Sequence, residues 1–270
     1  MPDCYGYDRS VKASLRLILL SFPLLAFAGP DRVGHESDDK RTFIEIEHHK
    51  RNYFISGEPN TKVQFSGKIP IQPRSKHYLA YSQKMIWELF TKTSSPVSDV
   101  NFNPEYFYRV TREGGGILRG YDLGLEHISN GGVEDDNKAS RGWNMAYVYV
   151  PLKLDFGSGN IFFSTKIFAL FGEEKDNTRI REYTGFYEFE IATRDFFRGI
   201  LSYDEFYVAV RPGGKEGGRF SKGSLETGVR FKLFKDKTAP HAFLQYFTGY
   251  RETQLTYNHK THALRIGLSL

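Results

Sequence analysis

The chain has 270 residues, a formal charge of +5, 23 Phe, 17 Tyr and a single cysteine, Cys4. A lone cysteine excludes disulfides and a cysteine metal site, and basic residues scattered without a recognisable motif exclude nucleic acid as a partner. Mean hydropathy is −0.47, and no stretch after residue 28 is apolar enough for a transmembrane helix.

The N-terminus has the layout of an export signal. Arg9, Lys12 and Arg16 precede an apolar run at 17–28, too short to span a bilayer comfortably. The run ends in Ala26-Phe27-Ala28, which predicts a signal peptide over 1–28 and a mature start at Gly29. Residues 29–50 are polar and predict a solvated periplasmic tail, with His48-His49 part of that tail rather than a metal pair.

From residue 51 to residue 270 the chain reads as short alternating segments without a useful helical stripe. Strands are predicted at 51–57, 62–71, 77–90, 104–113, 117–130, 142–154, 160–171, 183–192, 196–210, 222–234, 240–252 and 262–270. Near the C-terminus Leu264, Ile266, Leu268 and Leu270 share one face, and Ala263, Arg265, Gly267 and Ser269 the other. Short turns at 72–76, 114–116, 155–159, 193–195 and 235–239 alternate with longer polar loops at 91–103, 131–141, 172–182, 211–221 and 253–261. That asymmetry predicts an all-β fold, a transmembrane antiparallel up-and-down barrel of about twelve strands. An even count puts both ends of the barrel at the periplasmic rim. The competing arrangement is a soluble two-sheet sandwich. It would bury Arg, Lys and Glu in a dry core, where unpaired charge is costly.

The stretch 120–144 carries the chemistry. Tyr121, Leu123, Leu125, His127 and Ser129 fall on one face of the predicted strand. His127 and Ser129 lie roughly 7 Å apart at Cβ, at about 3.3 Å rise per residue. Their side chains can lean into hydrogen-bond reach, and Asn144 on the returning strand can hold the ring. A Ser/His/Asn hydrolase site is one reading, and a polar strand end beside a solvated loop is the other. In the barrel topology these residues sit at the external end and point at lipid, which suggests a lipid substrate.

These residues bring the chain to a known family. It resembles bacterial outer-membrane phospholipase A through most of 51–270: in YSQKMIWELF (81–90), SSPVSDVNFNPE (94–105), H-x-S-N-G (127–131), S-R-G-W-N (140–144) and the stretch 166–191. The intervening loop is longer than the family's. Gly142 stands where a serine is more usual, Gly132 where the family has arginine, and Leu270 where many such barrels end in Phe. The resemblance implies Ser129 as nucleophile, His127 as general acid and base, Asn144 as its orienting partner, and the Gly131 N–H in an oxyanion hole shared with Ca²⁺. It implies Gly132, Ser140 and, from a partner subunit, Ser94 as calcium ligands, with Asp135 and Asp136 able to add charge. It implies a homodimer when active, with Gln83 at the interface; the other place for Gln83 is the lumen. The implied activity is calcium-dependent hydrolysis of phospholipid acyl esters at either position (A1 and A2), and of lysophospholipids, at the external leaflet of the outer membrane. The alternative is a non-catalytic barrel, a small pore or adhesin.

Overall fold

The computed structural model describes residues 45–94, 96–112, 114, 116–131, 140–157, 159–172, 177, 179–197, 203–214, 219–232 and 239–270. The expected signal peptide and most of the expected tail lie outside these. The strands are β1 (Glu47–His48), β2 (Tyr53–Glu58), β3 (Thr61–Pro70), β4 (His77–Trp87), β5 (Val97–Thr111), β6 (Gly120–Ser129) and β7 (Gly142–Phe156). They continue with β8 (Gly159–Phe171), β9 (Tyr187–Arg194), β10 (Asp204–Gly213), β11 (Arg219–Phe231), β12 (His241–Gly249) and β13 (Thr261–Ser269). Each strand from β2 to β13 pairs antiparallel with the next, and β13 returns to β2. The wall is therefore a closed antiparallel barrel of twelve strands, as expected. The short β1 extends the pairing of β3 beyond the end of β2. The Leu270 N–H donates to the Asn52 carbonyl at 3.0 Å, so both ends of the barrel meet at one rim.

The two-residue alternation sorts the side chains as the sequence requires. On β13 Arg265 is 1% exposed while its neighbour Ile266 is 66% exposed. Large hydrophobics such as Leu125, Ile167, Phe206, Leu244 and Ile266 are exposed on the outside, while Glu105, Glu126, Glu205 and Arg265 are buried inside. A soluble sandwich is overturned by the closed ring.

Inside, the charges are paired. Arg51 donates to Glu190 at 2.7 and 2.9 Å and to Glu205 at 2.8 Å. Arg194 donates to Glu205 at 2.7 Å, and Arg265 to Glu252 at 3.0 Å. The 250–260 connection folds over one end of the lumen. There Asp99 Oδ2 accepts from the main-chain N–H groups of Gln254 and Leu255 at 2.9 and 3.2 Å, and Lys84 Nζ donates to the Glu252 carbonyl at 2.7 Å. Residues 49–51 reach in from the opposite end. His49 Nε2 lies 2.8 Å from Glu105 Oε2, and its ring stacks on Phe107. The last residues of the expected tail are thus seated in the barrel rather than solvated.

Three segments differ from the sequence reading. β5 begins at Val97, so most of the expected 91–103 loop is strand. Its Asp99, Asn101 and Asn103 are buried lumen residues, and a lumen face made of loop-type residues hides a strand. The 183–192 segment begins with one helical turn, α1 (Ile180–Tyr183), before β9 starts at Tyr187. Phe196 and Phe197, expected to open a strand, lie outside one, and β10 starts at Asp204. The Asp204 carboxylate accepts from the Phe196 and Phe197 N–H groups at 3.0 and 2.9 Å, which curls an apolar pair into the turn.

Glu205→Leu would leave Arg51, Arg194 and Arg230 facing one another without their shared carboxylate. We expect a loss of about 3–5 kcal/mol, read as a lower urea midpoint of Trp fluorescence in micelles. An unchanged midpoint would mean that the lumen charges do not hold the wall together.

Candidate active site

β6 and β7 build the site because their register sets His127 directly across from Asn144 and Ser129 across from Gly142. Cross-strand partners on one face stand about 4.5–5.5 Å apart at Cβ, close enough for their side chains to meet. His127 Nδ1 and Asn144 Oδ1 lie 2.8 Å apart. Asn144 Nδ2 donates to the Phe171 carbonyl at 3.4 Å, which fixes the amide with its oxygen toward the ring. An oxygen can only accept, so Nδ1 carries the hydrogen and Nε2 keeps a free lone pair. That lone pair can take a proton. Ser129 lies two residues along the same outward face, whose Leu123 and Leu125 are exposed while Asp122 and Glu126 are buried inside. Among the described residues no hydrogen bond joins His127 to Ser129.

The other expected residues fall into two groups. Asn130 and Arg141 close the neck of the β6–β7 loop: Asn130 N–H donates to the Arg141 carbonyl at 3.0 Å, and Arg141 N–H to Asn130 Oδ1 at 2.9 Å. Gly131 and Ser140 adjoin that neck. Gly131 has φ +62°, and a Cβ there would lie 2.8 Å from the Phe102 ring, so the position suits glycine on both counts. Gly132, Asp135 and Asp136 lie outside the described residues. Ser94 is exposed on the 88–96 connection. Gln83 sits on β4 and faces outward, with the Tyr81 hydroxyl donating to its Oε1 at 3.2 Å, so the lumen placement is excluded. Gln83, Phe102 and Ser129 are register partners across β4, β5 and β6. At about 4.8 Å per strand, Gln83 stands roughly 10 Å from Ser129 along the surface. Ser94 and Gln83 do not join the His127–Asn144 contact within one chain. The hydroxyl of Ser140 and the carbonyl of Ser94 are hard oxygen donors, a set that suits calcium.

The structure adds residues that the sequence reading missed. The Asn103 side-chain amide donates to the His127 carbonyl at 2.8 Å, and Asn177 Nδ2 donates to the Gly142 carbonyl at 2.8 Å. Gly172 has φ +62°, and a Cβ there would approach Asn144 Nδ2 to 2.6 Å. No sequence spacing marks these contacts, because each joins segments whose placement in the fold had first to be known. Below the His127–Asn144 row, Leu125, Ala146 and Ala169 form the next row across β6, β7 and β8. The two alanines open a shallow apolar groove there, bordered by Leu123, Val148 and Ile167.

A sequence model of the phospholipase A1 family matches residues 57–270. Phospholipase A1 of Klebsiella pneumoniae is 28% identical over 195 residues, covering 71% of this chain and 61% of that protein. Two solved structures share the fold. The Salmonella typhi outer membrane phospholipase dimer with bound calcium has TM-score 0.67 at 23% identity, covering 86% of this chain and 94% of that one. An asparagine-to-alanine active-site mutant of Escherichia coli outer membrane phospholipase A has TM-score 0.66 at 22% identity, covering 87% and 94%.

Gly172→Ala would force Asn144 off the imidazole. We expect labelling of Ser129 by a fluorophosphonate probe to slow by about tenfold in a barrel that stays folded. Labelling at the original rate would show that the His127–Asn144 contact does not govern the serine.

Proposed function

The chain belongs to the phospholipase A1 family, and we propose that it is a calcium-dependent outer-membrane phospholipase. It hydrolyses acyl esters of phospholipids at either position (A1 and A2), and of lysophospholipids, at the external leaflet. The observation that carries this reading is the His127–Asn144 hydrogen bond on the outward apolar face, two residues from Ser129. The asparagine active-site mutant of the Escherichia coli protein supports the place given to Asn144.

The mechanism follows from the geometry. Ser129 Oγ adds to the ester carbonyl carbon while His127 Nε2 takes its proton. Asn144 keeps Nδ1 protonated and the ring in plane. His127 then returns the proton to the departing alcohol, leaving an acyl-serine. A water deprotonated by the same nitrogen releases the fatty acid and restores Ser129. The Gly131 N–H serves as a donor to the negative oxygen. Calcium, held by oxygens of Gly132, Ser140 and the Ser94 of a second subunit, would supply positive charge beside that oxygen when bound. The Salmonella typhi neighbour, a dimer with bound calcium, supports both the metal and a homodimer with Gln83 at its contact. The groove over Ala146 and Ala169 offers an acyl chain a place beside the row that holds the catalytic pair.

A neutral asparagine suits this position. A carboxylate on a face in contact with lipid would be costly to desolvate, whereas an amide orients the ring at lower cost. The pore or adhesin alternative loses support from the lumen, whose two ends are occupied by 250–260 and 49–51.

Fatty-acid release from phospholipid in detergent micelles tests the reading. We expect release to need both Ca²⁺ and Ser129, and to vanish with a chelator or with Ser129→Ala. Asn144→Ala should slow turnover by about ten- to a hundredfold without abolishing it. A Ser129→Ala barrel with full turnover would end the assignment.

A further inference from the structure

The register of β5 against β6 has a gap beside the catalytic histidine. Pairing is present at Phe102↔Ser129 and resumes at Glu105↔Glu126. Counting from either pair places Pro104 across from His127. On its other side β5 is paired with β4 without interruption through the same residues, from Asn101 to Glu105. The break therefore belongs to the β5–β6 seam alone. Its cause is chemical: a proline nitrogen carries no hydrogen, so the ladder bond from position 104 to the His127 carbonyl cannot form. A main-chain carbonyl in a strand wall then lacks its donor.

Asn103 fills the gap. Its Nδ2 donates to the His127 carbonyl at 2.8 Å. Its Oδ1 accepts from Lys50 Nζ at 2.6 Å, and the same ammonium donates to Glu126 Oε1 at 2.9 Å. Lysine can only donate, so Lys50 holds the amide with its oxygen inward and its nitrogen toward His127.

We propose that Asn103, oriented by Lys50, is a positioning residue for His127, its side-chain amide standing in for the main-chain donor that Pro104 cannot supply. The role rests on the hydrolase reading above. It acts on the histidine from behind: Asn144 holds the ring on the outer face, and Asn103 holds the backbone from the lumen. Glu126 and Ile128 turn their main-chain groups to β7, whereas His127 turns its own to β5, where Asn103 meets the carbonyl.

The test exchanges one donor for the other in the full-length chain, refolded in micelles with Ca²⁺. Asn103→Ala is expected to lower kcat for fatty-acid release by at least about tenfold, with KM changed by less than about twofold. Adding Pro104→Ala restores an N–H opposite the His127 carbonyl and is expected to recover most of the lost kcat. Pro104→Ala alone is expected to stay near the starting enzyme. A purely volumetric role for Asn103 would not respond to a change at residue 104. Where Asn103→Ala alone fails to fold, recovery of a folded, active barrel by Pro104→Ala reports the same exchange. Wild-type kcat in Asn103→Ala overturns the proposal, and so does a double variant no better than the single one. Ser129→Ala run in parallel separates the two readings. Release that survives it overturns the hydrolase and this role together, whereas release lost there but intact in Asn103→Ala overturns only the role of Asn103.

Discussion

A wall one strand thick, closed on itself, has to satisfy every main-chain N–H and C=O from the strand next door. That requirement shapes the rest of this molecule. With the ring closed, each residue has a fixed pair of neighbours and a fixed face, and a step of one residue moves a side chain from lumen to lipid. Chemistry on such a wall has to be built from positions two apart along a strand and from direct cross-strand partners. His127 and Ser129 are the first kind, and His127 and Asn144 the second. The distance between ring and amide is thus set by the sheet itself rather than by a loop.

The lumen ties the strands of that wall to one another. Glu205 is shared by Arg51, Arg194 and Arg230, and Glu252 by Lys62 and Arg265, so each carboxylate ties several strands together. The 250–260 connection and residues 49–51 bring further charges into the same space from the two ends. Buried ion pairs of this kind are weak sources of net stability when compared with an apolar filling, yet breaking one is costly. Here they join strands whose register sets the outward site.

The sequence made the outer surface legible and left the inner one obscure. Alternation marked nearly all of the wall strands and placed Leu264, Ile266 and Leu268 outside and Arg265 inside. The H-x-S spacing put His127 and Ser129 on one face with no structural help. What failed were segments whose polar residues face inward. Asp99, Asn101 and Asn103 read as loop because loop composition and a hydrogen-bonded lumen draw on the same amino acids. His49 and Lys50 read as tail for the same reason. Their partners, Glu105, Asn103 and Glu126, lie far along the chain, and no local pattern can reveal a contact of that range. Phe196 and Phe197 misled in the opposite direction: an apolar pair suggested strand, while the Asp204 carboxylate made a turn.

The two amides around His127 show why asparagine, rather than a carboxylate, suits both places. A carboxylate accepts and cannot donate; a carboxamide does both at once. Asn144 accepts from the ring through Oδ1 and donates to the Phe171 carbonyl through Nδ2, which ties the histidine to β8. Asn103 donates to the His127 carbonyl and accepts from Lys50, which ties it to the lumen. Aspartate at 103 would set an acceptor against an acceptor at the carbonyl, and at 144 it would lose its bond to Phe171 and place a charge on the lipid side. Each amide is fixed in its flip by a partner of unambiguous polarity, a carbonyl in one case and an ammonium in the other. The single proline that breaks the ladder opens the gap that lets the lumen reach the histidine's backbone. The inner and outer faces of the wall, otherwise separated by a continuous sheet, are joined at His127.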